Sequence, residues 1–119
     1  MAAAVKNLLI EQGATFRLVL RIRDAATQAA VNLTGYSARM HVRATVASTS
    51  TLIEATTVNG KIVITPATGV ITVTLSATET AALSFTSAVY DLETEDSSSP
   101  AVVKRRLQGT VTLSKEVTR

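Results

Sequence analysis

The chain has 119 residues, no cysteine and a formal net charge of +3 at pH 7. This length predicts one domain that can bury a core without a covalent cross-link, and the lack of cysteine excludes disulfide bonds and thiolate metal sites. Two phenylalanines, two tyrosines and the mild charge argue against a nucleic-acid binder, which concentrates basic and stacking side chains. The chain shows neither a signal-peptide pattern nor a membrane-spanning apolar run, so we expect a soluble domain without an export address or membrane contact.

Two alternating patterns dominate the first part of the chain. Every second residue from 16 to 22 is apolar, and the same alternation recurs from Tyr36 to Val42. A period of two residues is typical of a half-buried strand. The residues between the apolar positions are then predicted to point outward: Arg17, Val19, Arg21 and Arg23 from the first strand, and Ser37, Arg39, His41 and Arg43 from the second.

Turn signals divide the middle of the chain. Residues 52–58 and 61–65 are predicted to form a hairpin through Asn59-Gly60, because both turn residues tolerate positive φ. A strand over residues 70–75 follows the next tight turn. The sequence from Ser76 to Glu79 has the form of a capping box, which predicts one short helical turn near residues 76–83 that crosses from one sheet to the other.

The last predicted hairpin joins residues 89–95 to residues 101–107. A loop centred on the serines that precede Pro100 sets opposite charges against each other on one face, Asp91 with Arg106 and Glu93 with Lys104. The same register turns Arg105 toward the apolar face, which indicates either an error in the register or a residue at the mouth of the sandwich. We predict a β-bulge at Gly109, after which the strand continues.

These elements together predict an all-β fold, an Ig-like antiparallel β-sandwich of seven or eight strands with one short helical turn. The sandwich forms a single domain over residues 1–119. The paired cysteines and core tryptophan of immunoglobulin domains are absent, so the likeness concerns the architecture. Residues 1–7 and 114–119 are expected to be flexible or to become ordered only in an assembly.

The sequence offers no constellation typical of catalysis. His41 is the only histidine, so a zinc site of the usual kind cannot be assembled from this chain alone. No nucleophile-elbow sequence is present, and the acids Asp91, Glu93 and Glu95 share a strand face without the spacing of a calcium loop. We therefore predict a protein that is not an enzyme and has no catalytic, cofactor-binding or metal-binding residues.

The outward-facing basic residues are the candidate protein interface: Arg17, Arg21, Arg39, His41 and Arg43. They form one basic stripe if the first two strands lie near each other. Three interpretations remain open for this surface. It is an ordinary solvated face that the acids of residues 89–95 neutralise, a docking face for an acidic partner subunit, or a DNA contact, which the low net charge disfavours.

Five segments in order along nearly the whole chain carry a family resemblance: QGATF at 12–16, VNLTGYSARM at 31–40, LSATET at 75–80, YDLE at 90–93 and LQGTVTLSKEVTR at 107–119. This series resembles small bacteriophage virion proteins associated with the tail, baseplate or fibres. More distantly, it is similar to the Ig-like N-terminal domain of phage baseplate upper proteins.

The resemblance implies a structural module made in the host cytoplasm and built into the virion tail. There it would help to attach fibres or receptor-binding proteins, as a homo-oligomer or in several copies, with other virion subunits as partners and no nucleic acid bound. The alternative is a β-sandwich that binds glycans or the host surface, and such modules usually present exposed aromatic side chains. Phe16, Tyr36 and Tyr90 are predicted to face the core, which leaves Phe85 alone.

Overall fold

The computed structural model describes residues 3–118, which form nine strands, one α-helix and one 3-10 turn. The strands are β1 (Ala4–Val5), β2 (Leu8–Glu11), β3 (Phe16–Arg21), β4 (Ser37–Arg43), β5 (Ile53–Thr56), β6 (Ile62–Thr65), β7 (Val70–Leu75), β8 (Ser87–Glu95) and β9 (Val103–Ser114). The helix α1 spans Ala77–Ala81, and the 3-10 turn spans Pro66–Thr68. Met1, Ala2 and Arg119, which belong to the termini expected to order in an assembly, lie outside the described residues.

The strands form two sheets that pack face to face. Sheet A has the order β1–β9–β8–β4–β5, with β2 also paired to β9, and sheet B has the order β3–β7–β6. The strand pairs are antiparallel except those of β1 and β2 with β9, which are parallel. The series β4–β8–β9 and β3–β7–β6 match strands C–F–G and B–E–D of an immunoglobulin sandwich, so the structure has the predicted Ig-like architecture.

The core lies between the two sheets and is built from the alternating apolar residues. Leu18 and Ile22 from the first predicted strand are buried, as are Ala38, Met40 and Val42 from the second. Both alternations are therefore confirmed. No helix within residues 3–118 is long and apolar enough to cross a membrane.

The turn at Asn59-Gly60 connects the two sheets, and the predicted hairpin is wrong. The strand before it, β5, pairs with β4 in sheet A, whereas β6 pairs with β7 in sheet B. The Asn59 side-chain oxygen accepts hydrogen bonds from the amides of Thr56 and Lys61, each at 3.0 Å, and its amide group donates to the Glu54 carbonyl at 2.9 Å. The side chain therefore closes the turn locally, without the help of a strand pair.

The hairpin of β8 and β9 also differs from the predicted register. Leu92 pairs with Leu107, whereas its neighbour Glu93 pairs with Arg105. Arg106 is thus the extra residue of a β-bulge. The bulge predicted at Gly109 is wrong, since that residue continues the ladder beyond this point.

The observed register explains the misplaced arginine, because Arg105 lies opposite Glu93 and not opposite Leu92. Arg105 lies on the outer face of sheet A, with its Nε 3.4 Å from Asp91 Oδ2. Arg106 turns to the other side, where its Nε donates to the Oγ1 of buried Thr94 at 2.9 Å. The arginine at the mouth of the sandwich is therefore Arg106, one position later than predicted.

The predicted helical turn is confirmed and leads from sheet B to sheet A. Ser76 Oγ accepts a hydrogen bond from the Glu79 amide at 3.1 Å, and Glu79 Oε1 accepts one from the Ser76 amide at 2.9 Å. Glu79 Oε2 lies 2.8 Å from Lys61 Nζ. The hydrogen bond from Lys61, followed by that from the Ser76 amide, lowers the pKa of the Glu79 carboxyl.

The N-terminal strands lie in parallel beside β9, a pairing that was not predicted. The buried Tyr90 hydroxyl donates to the Lys6 carbonyl at 2.7 Å, and burial raises the pKa of Tyr90 to about 12. Gly109 permits this approach, because a Cβ there would collide with the Lys6 carbonyl. Gln12 links the N-terminal part of the chain to the C-terminal part, since its Oε1 accepts a hydrogen bond from the Glu116 amide at 2.9 Å.

Candidate interaction surfaces

The five predicted interface residues lie on two separate faces of the sandwich. Arg17 and Arg21 are on β3 in sheet B, whereas Arg39, His41 and Arg43 are on β4 in sheet A. The two sheets pack through their inner faces, so their outer faces point in opposite directions. The single basic stripe expected from adjacent strands is therefore not formed, because β3 and β4 belong to different sheets.

On the outer face of sheet A, acidic residues lie opposite the basic residues of β4. Arg39 pairs in register with Glu93, and its Nε lies 3.1 Å from Glu93 Oε1. His41 lies between Asp91 on β8 and Glu54 on β5. For β4, the structure thus agrees with the interpretation in which the acids of residues 89–95 neutralise the face.

His41 is held by contacts on both ring nitrogens. Its Nε2 lies 3.3 Å from Glu54 Oε2, and its Nδ1 lies 3.3 Å from Arg43 Nη2. The neutral tautomer with the proton on Nε2 satisfies both contacts, because Nδ1 then accepts from Arg43 and Nε2 donates to Glu54. Arg43 also donates from Nη1 to the Ser48 carbonyl at 3.2 Å. Arg43 and Glu54 thus contact both nitrogens of the His41 ring.

The acids of β8 have other partners than predicted. Asp91 pairs with Arg105 rather than Arg106, and Glu93 pairs with Arg39 rather than Lys104. The register differs from the predicted one, since Asp91 lies opposite Gln108 and Glu93 lies opposite Arg105. These charges line a shallow depression of about 560 Å³, which also includes three valines: Val5, Val46 and Val89.

The outer face of sheet B has a different composition. Its three strands, β3, β6 and β7, contain no acidic residue. Arg17 and Arg21 are exposed, and within residues 3–118 no Asp or Glu oxygen lies within 4.0 Å of either guanidinium. Between them lies Val19, and their neighbours on β7 are Thr72 and Thr74. Within residues 3–118, this face therefore combines arginines that have no acidic partner with valine and threonine side chains.

The aromatic side chains form no exposed platform. Tyr90 is buried, with 4% of its surface accessible. The other three, Phe16, Tyr36 and Phe85, are partly buried and pack against the core. In the part of the chain that the structure describes, no group of three or more histidine, aspartate and glutamate side chains is arranged to hold a metal ion.

No protein-family model matches the sequence, and no curated protein is similar to it at a significant level. Function is therefore inferred from three kinds of surface: a charge-paired face on sheet A, a basic face on sheet B whose arginines have no acidic partner within residues 3–118, and the sheet edges. Each of these surfaces can bind another protein chain.

Proposed function

We propose that this chain is a structural assembly module of a bacteriophage tail or baseplate, which is not an enzyme and helps to attach fibres or receptor-binding proteins. The observation that carries the proposal is the combination of an Ig-like sandwich with two different outer faces. The basic residues of one face are paired with acids, and the other face is basic. Such a molecule can join two different neighbours, because each face suits a partner of different charge.

The resemblance of five ordered segments to small virion proteins supports the same role. The hydrogen bonds of His41 give further support, since they engage both ring nitrogens with Arg43 and Glu54. A general base needs a free nitrogen within hydrogen-bond reach of its substrate. A glycan-binding role has less support, because the four aromatic side chains pack against the core instead of forming a flat exposed surface.

The direct test is mass spectrometry of purified particles from the phage or prophage that encodes this chain. We expect the polypeptide in mature particles, in constant ratio to the major tail protein and resistant to washing with high salt. Non-structural phage proteins from the same lysate serve as the control for carry-over. Absence of the chain from mature particles would contradict the structural role.

A second measurement addresses His41. The variant His41→Gln keeps a polar side chain on the surface of sheet A and removes any acid–base function. We expect particles that contain this variant to assemble and infect as the wild type does. A loss of infectivity with normal incorporation and normal attachment of fibres would contradict the non-enzymatic part of the proposal.

A further inference from the structure

β3 is the longest strand at a sheet edge. It has six residues, whereas the other edge strands within residues 3–118 have two (β1) or four (β2, β5 and β6). β3 pairs with β7 on one side, and within residues 3–118 no strand lies beside its other edge. In immunoglobulin constant-type domains a strand A occupies this position beside strand B. Here the N-terminal strands pair with β9 in sheet A instead, which leaves the position beside β3 open.

The alternation of the backbone identifies the groups at this open edge. In an antiparallel strand the N–H and C=O of one residue point to the same side, and successive residues alternate. The Ile22 amide donates to the Gly69 carbonyl at 2.8 Å, so Ile22 and the even-numbered residues of β3 point toward β7. The N–H and C=O groups of Arg17, Val19 and Arg21 therefore point away from β7, toward the open edge. An added strand can bind them there.

The side chains of the same three residues lie on the basic outer face. Arg17 and Arg21 have no acidic neighbour within 4.0 Å in the described chain, and Val19 between them is 42% exposed. An added strand meets this face with every second side chain. An added strand matches this face when it has an acidic residue, a small residue and an acidic residue at alternate positions.

An open hollow adjoins the edge near Arg21. It has a volume of about 1000 Å³, and its lining includes the inner-face residues Leu20 and Tyr36. The cations Lys104 and Arg106 also line it. Two acids that line the hollow already have partners within the chain. Glu93 pairs with Arg39, and Asp24 accepts hydrogen bonds from two main-chain amides of its own turn. The hollow therefore offers both apolar contact and positive charge to an incoming chain.

A second copy of this chain is a poor occupant. Antiparallel pairing of two β3 strands about Val19 would set Arg17 of one copy opposite Arg21 of the other. Like charges directly opposite each other destabilise a strand pair, and charged side chains on an edge strand are a common means of preventing self-association. An acidic strand, in contrast, forms an opposite-charge pair at both positions.

We propose that the open edge of β3 binds an extended acidic segment of a neighbouring subunit, which adds to sheet B as an antiparallel strand. Main-chain hydrogen bonds to Arg17, Val19 and Arg21 hold the segment, and the two guanidinium groups select acidic side chains. That the neighbour is a virion subunit rests on the proposed function, whereas the strand pairing rests only on the geometry of β3.

The test uses the synthetic peptide Ser-Thr-Glu-Val-Thr-Val-Glu-Thr-Ser, with its lysine-for-glutamate analogue as the control. Backbone amide resonances of the whole chain are followed by NMR as each peptide is added. In the free protein the amides of Arg17, Val19 and Arg21 should exchange with solvent quickly, and those of Leu18 and Leu20 slowly. The acidic peptide should shift and protect the first three, and the lysine analogue should not. Slow exchange of the first three in the free protein would overturn the assignment of the open edge.

Two variants separate charge from strand pairing. Arg17→Glu should weaken binding of the acidic peptide about tenfold, because attraction becomes repulsion, whereas Lys115→Glu, which changes the net charge equally, should leave it unchanged. Val19→Pro removes one outward amide and should abolish binding, whereas Val19→Thr should retain it. If Val19→Pro fails to fold, the comparison of Arg17→Glu with Lys115→Glu still decides.

Several outcomes would overturn the proposal. These are equal binding of both peptides, protection at the edges of β5 or β6 instead of β3, or a homodimer whose interface protects β3. Binding of an oligothymidylate to the same residues with the affinity of the acidic peptide, unaffected by Val19→Pro, would indicate a nucleic-acid site. None of these results bears on whether the chain is present in particles, so failure of the strand pairing and failure of the virion role remain distinguishable.

Discussion

The outer faces of sheets A and B carry arginines in different surroundings. On sheet A, Arg39 has a carboxylate at 3.1 Å because the neighbouring strand β8 supplies acids in register. On sheet B, Arg17 lies opposite Thr74, and none of the three strands contains an acid. The same residue type is therefore part of an ion-pair network on one face and available to a partner on the other. The neighbouring strand, and not the residue itself, makes the difference.

The largest expected effect tests whether the two faces cover a single core. Leu92 on sheet A and Ile71 on sheet B are fully buried. Replacing either with alanine should lower the free energy of unfolding by about 3 kcal/mol, because each leaves a cavity in a close-packed interior. Urea unfolding at pH 7 measures the loss, with Val63→Ala on the exposed face of sheet B as the control, which should cost under about 0.5 kcal/mol. A loss below about 1 kcal/mol in one sheet alone would show that the sheets do not share one core.

The next effect is specific to sheet A and depends on Tyr90. Burial raises its pKa from 10.0 to about 12, so the folded state keeps the phenol proton after the unfolded state has lost it. The associated stability is fully present below pH 10, and about 2 kcal/mol of it is lost by pH 12.

Tyr90→Phe provides the control for this alkaline loss. This variant should lose about 1 kcal/mol at pH 7, because the hydrogen bond to the Lys6 carbonyl is gone. Between pH 10 and pH 12 its unfolding free energy should then fall less steeply than that of the wild type. Parallel pH profiles for the two proteins would contradict the assignment of the alkaline loss to Tyr90.

Charge reversal compares the two faces directly. Arg39→Glu sets two carboxylates opposite each other and should destabilise the fold by about 1 kcal/mol, whereas Arg17→Glu should stay within about 0.5 kcal/mol of the wild type. Thermal unfolding at low salt detects the difference. The swapped double variant Arg39→Glu with Glu93→Arg should recover most of the loss, and equal effects of the two single reversals would show that the sheet A pairs contribute nothing.

The smallest effect concerns Lys61, a cation at the end of sheet B that does have an acidic partner. Glu79→Gln keeps a capping side chain and removes the ion pair with Lys61, so it should cost about 0.5 kcal/mol at pH 7. The pKa of Glu79 is lowered in the folded state, so its stabilisation is present above pH 4.5 and is lost as the pH falls through the folded pKa. Urea unfolding between pH 3 and pH 7 should therefore show the two proteins converging at acidic pH, and a constant difference would contradict this origin.

The direction of the side chains along each strand follows from the amino-acid sequence. The alternation of apolar residues along β3, β4, β7 and β8 predicts their buried faces correctly, because the direction of a side chain in a strand depends only on its position along that strand. The capping box at Ser76 and the turn at Asn59 are likewise formed by neighbours in sequence, and the structure contains both. Nothing local, however, indicated that Asn59 joins two sheets instead of two paired strands.

Which strands are neighbours, and therefore which charges meet on each surface, depends on the packing of the whole chain. Arg17 and Arg39 have the same local pattern, yet one lies beside Thr74 and the other beside Glu93. The parallel pairing of residues 4–11 with β9 depends on contacts between distant parts of the chain. Period-two patterns carry no information about such contacts, because the choice between possible partner strands is made by packing of the whole core.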